Sequence, residues 1–399
     1  MRIIGMDIHR SFAQVAFLVD GQVTKETRVD LAHDRFLKFA RTLEKTDEVV
    51  IEATGNSMAV ERVLRPFVKR VAVANPRLVR AIAFARVKTD KIDAAILARL
   101  HAAGFLPEVW VPDDETIRRR RTVTERMGIV EHMVRTKSRI HAILHGNLIP
   151  KYEGRLFTKA GRTWLAGLPL SPEEQALVSR LVAELERVSA QLAELDKGIA
   201  QQALDDPQAR RLMTIPGVGT VVALTVLASI GTIARFPTPE KLSSYFGLTP
   251  TIHQSGDHPA RHGHISRQGN AAARAMLVEA AWSAKMAPGP LRAFFNRVQK
   301  KAGAGAAAVA TARKLTVLIW HVLTEEKDYA YARPAFTAMK LRKAALKAGA
   351  PREYGKAGPS RDYWIKEIRQ REAEYVERAE RAYERMVDAW TDRPSGRAG

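Results

Sequence analysis

At 399 residues, 46% of them hydrophobic, the chain is long enough for two or three domains with sizeable cores. Its 64 Lys and Arg against 43 Asp and Glu leave a formal charge of +21, a surplus that points to a polyanionic partner, nucleic acid before an anionic membrane surface. Disulfides and thiolate metal sites are excluded by the absence of cysteine. No apolar run approaches the ~20 residues of a bilayer span, and the short N-terminal run broken by Asp7 does not read as a signal peptide, so no membrane partner and a cytoplasmic location are expected.

In chain order, Arg2 to Ile8, Phe12 to Val19 and Gln22 to Val29 are predicted strands, the last two joined by an Asp20-Gly21 hairpin turn. Asp34 to Leu43 reads as a helix. Glu48 to Glu52 is an apolar strand running into Ala53-Thr54-Gly55-Asn56, and after a further helix Arg70 to Ala74 is a strand stopped by Asn75-Pro76. Strands alternating with helices predict a mixed or parallel sheet covered by helices, an α/β domain over residues 1–112.

From Glu115 the pattern turns helical, and Arg118, Arg119, Arg120 and Arg121 open a basic stretch that reaches Leu144. Pro172 to Ile199 carries Leu177, Leu181, Leu185, Val188, Leu192, Leu195 and Ile199 at spacings of three and four. Such a stripe packs on its own domain or on another subunit. The charges flanking it (Glu184, Glu186, Arg187, Glu194, Lys197) favour a helical hairpin or coiled coil that joins subunits, which makes 113–205 the expected dimerisation region.

Ile215-Pro216-Gly217-Val218-Gly219 lies between apolar helical segments. It is either an ordinary tight turn or a helix-hairpin-helix-like element offering free N–H groups to a phosphate. Leu242 to Asn270 reads as largely loop, with helices resuming at Ala271 to Ala284 and Ala306 to Leu323. The tail over 326–399 is basic, with a helix over Arg361 to Trp390; it is either a nucleic-acid arm or a solvated, partly disordered helix. The expected architecture is therefore α/β plus all-α, in segments 1–112, 113–205, 206–325 and 326–399.

Four carboxylates stand out by position. Asp7 ends the first strand and Glu52 a later one, and strand ends in α/β sheets collect ligands. Asp90 and Asp93, three apart at a helix start, share a helix face. Acids in a first helical turn or at a strand end are commonly only caps or turn formers. Four that converge, however, cannot all be charged without a cation, and hard oxygen donors suit Mg²⁺ or Mn²⁺.

Gly5-Met6-Asp7-Ile8-His9, Ile51-Glu52-Ala53-Thr54-Gly55 and Lys88-Thr89-Asp90-Lys91-Ile92-Asp93-Ala94 resemble the Asp-Glu-Asp-Asp (DEDD) transposases of bacterial insertion sequences, the insertion-sequence one-ten family of bridge-RNA-guided recombinases. His9-Arg10 stands where many members have His-Lys. The resemblance implies a ribonuclease-H-like, RuvC-like N-terminal domain in which Asp7, Glu52, Asp90 and Asp93 hold divalent metal. It continues through the arginine run and Lys137-Ser138-Arg139-Ile140-His141, a basic helical stretch. Ser244-Tyr245-Phe246-Gly247-Leu248-Thr249-Pro250, Gln254-Ser255-Gly256 and Gly263-His264-Ile265-Ser266-Arg267-Gln268-Gly269-Asn270 are similar to the family's C-terminal transposase domain, which implies that Ser255 is the nucleophile.

By itself a Ser-Gly in a polar loop is a turn, and a serine hydroxyl is a poor nucleophile without activation. The assignment becomes chemically sensible if Ser255 meets the metal cluster. His253, His258, His262 and His264 surround it, and Arg261, Arg267 and Arg274 are candidate phosphate clamps beside Arg118 to Arg121, Lys137 and Arg139. Asp93 and Ser255 are more than a hundred residues apart, so the site is assembled by folding or between subunits. The expected activity is excision and insertion of a mobile element, acting on donor and target DNA with a bridge RNA as a dimer or tetramer. The alternatives are a metal-dependent, RuvC-like nuclease using water, and a non-catalytic binder. The four acids speak against the latter, because a polyanion binder gains nothing from a negative cluster.

Overall fold

Apolar residues fill both sides of the first strand: Ile4, Met6 and Ile8 on one face, Ile3 and Gly5 on the other, with Asp7 continuing the second set. A strand of this kind belongs in the middle of a sheet covered on both faces. The computed structural model describes residues 2–82, 89–254, 261–352 and 359–391. They fall into two units, Met1–Pro112 and Asp113–Gly399.

In the first unit the strands are β1 (Arg2–Ile8), β2 (Phe12–Val19), β3 (Gln22–Asp30), β4 (Glu48–Glu52), β5 (Arg70–Ala74) and the short β6 (Glu108–Val109). They form one mixed sheet of order β3-β2-β1-β4-β5-β6. β1 runs antiparallel to β2 and parallel to β4, and β4 runs parallel to β5. The helices are α1 (His33–Ala40), α2 (Ser57–Leu64), α3 (Pro76–Ile82) and α4 (Asp90–Ala102). Ile4, Met6 and Ile8 share a core with Phe36 of α1 and Val60 and Leu64 of α2. On the opposite face Ile3, Val50, Ala72 and Ala74 pack against Leu97 and Ala98 of α4.

Gly5 is what lets α4 come down onto the sheet. A Cβ there would lie 1.9 Å from the carbonyl oxygen of Ala94. The far end of α4 is pinned by His101, whose Nε2 lies 2.7 Å from Glu48 Oε2 at the start of β4. Lys69 donates to the same carboxylate at 2.7 Å, and these two partners hold Glu48 below the usual carboxylate range.

The second unit contains α5 (Asp114–Gly146), α6 (Lys159–Ala166), α7 (Pro172–Asp205), α8 (Pro207–Leu212), α9 (Thr220–Ile230), α10 (Pro239–Tyr245), β7 (Pro250–His253), β8 (Arg261–Ile265), α11 (Ala271–Lys285), α12 (Pro290–Thr324), α13 (Pro334–Ala348), α14 (Pro359–Asp362) and α15 (Lys366–Thr391). α5 and α7 lie side by side and antiparallel, as three cross-pairs show: Asn147 with Glu174 at 2.7 Å, His132 with Glu184 at 2.8 Å and Arg126 with Asp196 at 2.6 Å. The two ends of the leucine stripe are covered from within the chain, and Leu192 and Leu195 between them are half-buried. Leu181 and Leu185 pack on Ile140 and Leu144 of α5 and Leu165 of α6, and Ile199 joins the main helical core. That core runs from Val123 through α8, α9 and α11 to Leu315, Ile319 and Ala344.

Two expectations are refined. Among the described residues, the stretch from Leu242 to Asn270 holds the end of α10 and the antiparallel β7-β8 ribbon between loop segments. The basic tail is docked. Glu380 of α15 takes a two-pronged ion pair from Arg292 at 2.8 and 2.6 Å and the N–H of Gly289 at 3.0 Å. Lys347 of α13 pairs with Asp196 of α7 at 2.7 Å. α12, whose backbone is kinked at Gly303 (φ +83°), is by length and composition apolar enough to cross a bilayer, but Leu315, Ile319, Val322 and Leu323 are core residues here.

Candidate functional site

The register of β1 on β4 pairs Ile3 with Glu48 and Met6 with Ile51, so the next rung sets Asp7 beside Glu52 at the ends of adjacent parallel strands. α4 starts over the same end. Thr89 caps it, its hydroxyl accepting from the N–H of Ile92 at 3.4 Å, and Asp90 and Asp93 occupy the first turn. Asp7, Glu52 and Asp93 line a small cavity of about 80 Å³ with Arg80 and Leu97. Asp90 reaches Asp7 from another side. Ligand atoms of Asp7, His9 and Asp90 lie within 4.8 Å of one another. Asp7 is thus common to both groups.

His9 is the residue that sequence reasoning missed. Its Nε2 lies 3.3 Å from Asp7 Oδ2 and 3.1 Å from Asp90 Oδ2, yet that buried nitrogen makes no aligned hydrogen bond. The ring is stacked on Phe12 with centroids 4.5 Å apart, and the His9 carbonyl accepts from Asn56 Nδ2 at 2.9 Å. The available signal was its place two residues after Asp7, just past the end of β1.

Burial pushes the Asp7 carboxyl up from its ordinary range, and the charges of Asp90 and Asp93 push the same way, against a lowering by His9. A half-buried carboxyl facing two more acids is the environment in which a cation lowers the electrostatic cost. Carboxylate oxygens with one imidazole are hard and borderline donors, a set that fits a divalent ion.

The basic candidates divide. Arg118 and Arg121 are exposed and, with Arg119, border a depression of about 890 Å³. Arg119 is paired with Asp206 at 2.8 Å and with Glu115. Arg120 turns inward and donates to the carbonyls of Ala228 and Ser229 at 2.9 and 3.2 Å, tying α5 to the end of α9. Lys137 lies over the Phe157 ring at 5.4 Å, and Arg139 is exposed. Arg261 and Arg267 are exposed around the β7-β8 ribbon. Arg274 donates to the Phe246 carbonyl at 2.9 Å and joins α11 to α10. Arg120 and Arg274 therefore hold helices together. Ser255 lies outside the described residues, as do His258 and Lys88.

The turn at Ile215 to Gly219 is sealed on its inner side. Gly217 has φ +83°, and a Cβ there would lie 2.2 Å from the Ala280 carbonyl oxygen. Its glycine is required by the approach of α11.

Two family models match the chain in tandem: a DEDD transposase model of the IS110 type over residues 4–148, and one described as the transposase IS116/IS110/IS902 family over residues 209–296. The chain belongs to the IS110 family of DEDD transposases. The first match contains all four acids and the second contains Ser255. The transposase is 30% identical over 241 residues to the putative transposase y4qE of Sinorhizobium fredii, which covers 59% of this chain and 58% of that one. It is 25% identical over 349 residues to the transposase for insertion sequence element IS1111A of Coxiella burnetii, covering 82% and 91%. A pilin gene-inverting protein of Moraxella bovis is 25% identical over 297 residues, covering 71% and 82%. Membership of a DEDD transposase family suggests use of a divalent metal.

Proposed function

We propose that this transposase breaks and rejoins DNA at a divalent-metal site formed by Asp7, Glu52, Asp90 and Asp93, with Ser255 as nucleophile. The observation that carries the reading is the position of Asp7. It sits at a rigid strand end, shared between Glu52 and Asp93 on one side and His9 and Asp90 on the other, with its charge disfavoured by burial and by like charges. Bound Mg²⁺ or Mn²⁺ would polarise the phosphoryl oxygens and offset charge developing on them. The Ser255 hydroxyl attacks the phosphorus, its proton passes to one of His253, His258, His262 or His264, and the bond from phosphorus to the sugar oxygen breaks, that oxygen leaving as a hydroxyl with a proton from solvent. Attack by a new sugar hydroxyl on the phosphoserine reverses the step and restores Ser255.

A gene-inverting relative supports rejoining over simple hydrolysis, because inversion must reseal every strand it opens. A protein–DNA ester conserves the bond energy that water would discard. The resemblance extends the proposal to a bridge RNA, and the surplus of positive charge accommodates a second polyanion.

The test is a denaturant-resistant protein–DNA adduct. The native protein should form it with Mg²⁺ or Mn²⁺, and Ser255→Ala should lose it while keeping its fold. Asp7→Asn should cut its rate by about a hundredfold or more. Recombination by Ser255→Ala, or cleavage by native protein without any adduct, would replace the serine with water. RNA transcribed beside the gene should co-purify with the protein if a guide is bound.

A further inference from the structure

Beyond the second family match, which ends at residue 296, the tail carries a cluster that the metal site does not use. Phe336 of α13 meets Tyr363 with ring centroids 5.7 Å apart, and Tyr363 meets Trp364 edge-on at 5.4 Å. Cations interleave with these rings. Arg333 lies over Phe336 at 4.4 Å and Arg369 over Tyr363 at 5.8 Å. Arg333, Tyr363, Lys366 and Arg369 line an open depression of about 380 Å³. The acid in that depression, Glu372, is already engaged: it accepts the N–H of Ala335 at 2.6 Å and caps α13.

Packing does not explain Trp364, which is 70% exposed at the junction of α14 and α15. A tryptophan left in water on the edge of Tyr363, whose own ring lines the depression with Lys366 and Arg369, sets an exposed π-face next to a cationic one. An unpaired nucleic-acid strand has that complementarity, since its bases offer free faces and its backbone a row of phosphates. A duplex hides its base faces in the stack.

We propose that this cluster is a stacking platform for an unpaired DNA strand, with bases on Trp364 and Tyr363 and phosphates on Lys366 and Arg369. The choice of DNA rests on the transposase reading, because strand breakage and exchange expose unpaired DNA. The platform itself is independent of the cleavage chemistry.

The experiment uses the full chain and fluorescence anisotropy with a 12-nucleotide oligo(dT), the corresponding dA·dT duplex and oligo(rU). Trp364→Ala should weaken oligo(dT) binding by about five- to a hundredfold, the range of one lost base stack. Trp364→Phe should recover most of it, duplex binding should stay within about twofold, and the melting temperature should not move, because the side chain is exposed. Arg369→Gln should weaken oligo(dT) and reduce its salt dependence. Native oligo(dT) affinity in Trp364→Ala, an equal loss for duplex, or a loss confined to oligo(rU) would each overturn the proposal. Those results would leave the serine adduct untouched, so the two readings fail separately.

Discussion

Replacing Gly5 by alanine tests whether the approach of α4 to β1 assembles the acids. The new Cβ would stand 1.9 Å from Ala94 O and 3.0 Å from Ala98 N, both backbone atoms that no side-chain rotation can clear. Restoring ordinary contact at 3.4 Å requires α4 to back away by about 1.5 Å. Overpacking of this kind costs about 1–3 kcal/mol, or roughly 5–15 °C in the melting of a unit near a hundred residues. The same retreat carries Asp90 and Asp93 away from Asp7 and Glu52. A displacement of ~1 Å in a catalytic constellation costs about a hundredfold in rate. The expected result is a folded Gly5→Ala protein with weakened Mn²⁺ binding by calorimetry and strand cleavage down by about that factor. Native metal affinity and native rate would show that helix placement does not control the site.

Three further predictions concern the second unit. Gly217→Ala combines a left-handed backbone at φ +83° with a Cβ 2.2 Å from Ala280 O, and should cost about 2 kcal/mol or more in thermal melting; a loss under ~0.5 kcal/mol would mean the turn is not sealed by α11. Lys340 donates to the carbonyls of Met213 and Ile215, and burial brings its pKa down from 10.5 to about 7. The unfolded chain then binds more protons between those values, so stability should rise with pH from about 7 to 10.5, and Lys340→Met should flatten that slope in denaturant titrations. Glu380→Gln removes the charge that meets Arg292 and should destabilise the docking of α15 by about 2 kcal/mol, seen as faster limited proteolysis of the tail with the melting of Met1–Pro112 unchanged.

What was legible in the sequence was what local periodicity determines. β1, β2, β4 and β5 sit at their predicted bounds, because short, nearly continuous apolar runs bounded by turn and polar residues are written into each segment. The four acids were legible by position, at strand ends and in a first helical turn. The leucine stripe of α7 was legible as a stripe but not by its partner. Spacings of three and four say that one face is buried, and the face of α5 that covers it lies about forty residues earlier. The arginine run shows the same limit. Charge along the chain does not reveal that Arg120 turns inward to α9 while Arg121 faces solvent.

The candidate site depends most on residues that hydrophobic patterning ignores. Gly5, Ala94 and Ala98 have little or no side chain, and their contribution is the absence of atoms between α4 and β1. That close approach brings the start of α4 over the ends of β1 and β4, where Asp90 and Asp93 meet Asp7. His101, pinned on Glu48 at the opposite end, fixes the helix along its length. A carboxylate cluster that repels itself needs such a frame, since without it the acids would relax apart before a cation arrived. The small residues of β1 and α4 would therefore belong to the proposed metal site as much as its four acids, and the Gly5→Ala experiment separates their contribution from that of the carboxylates.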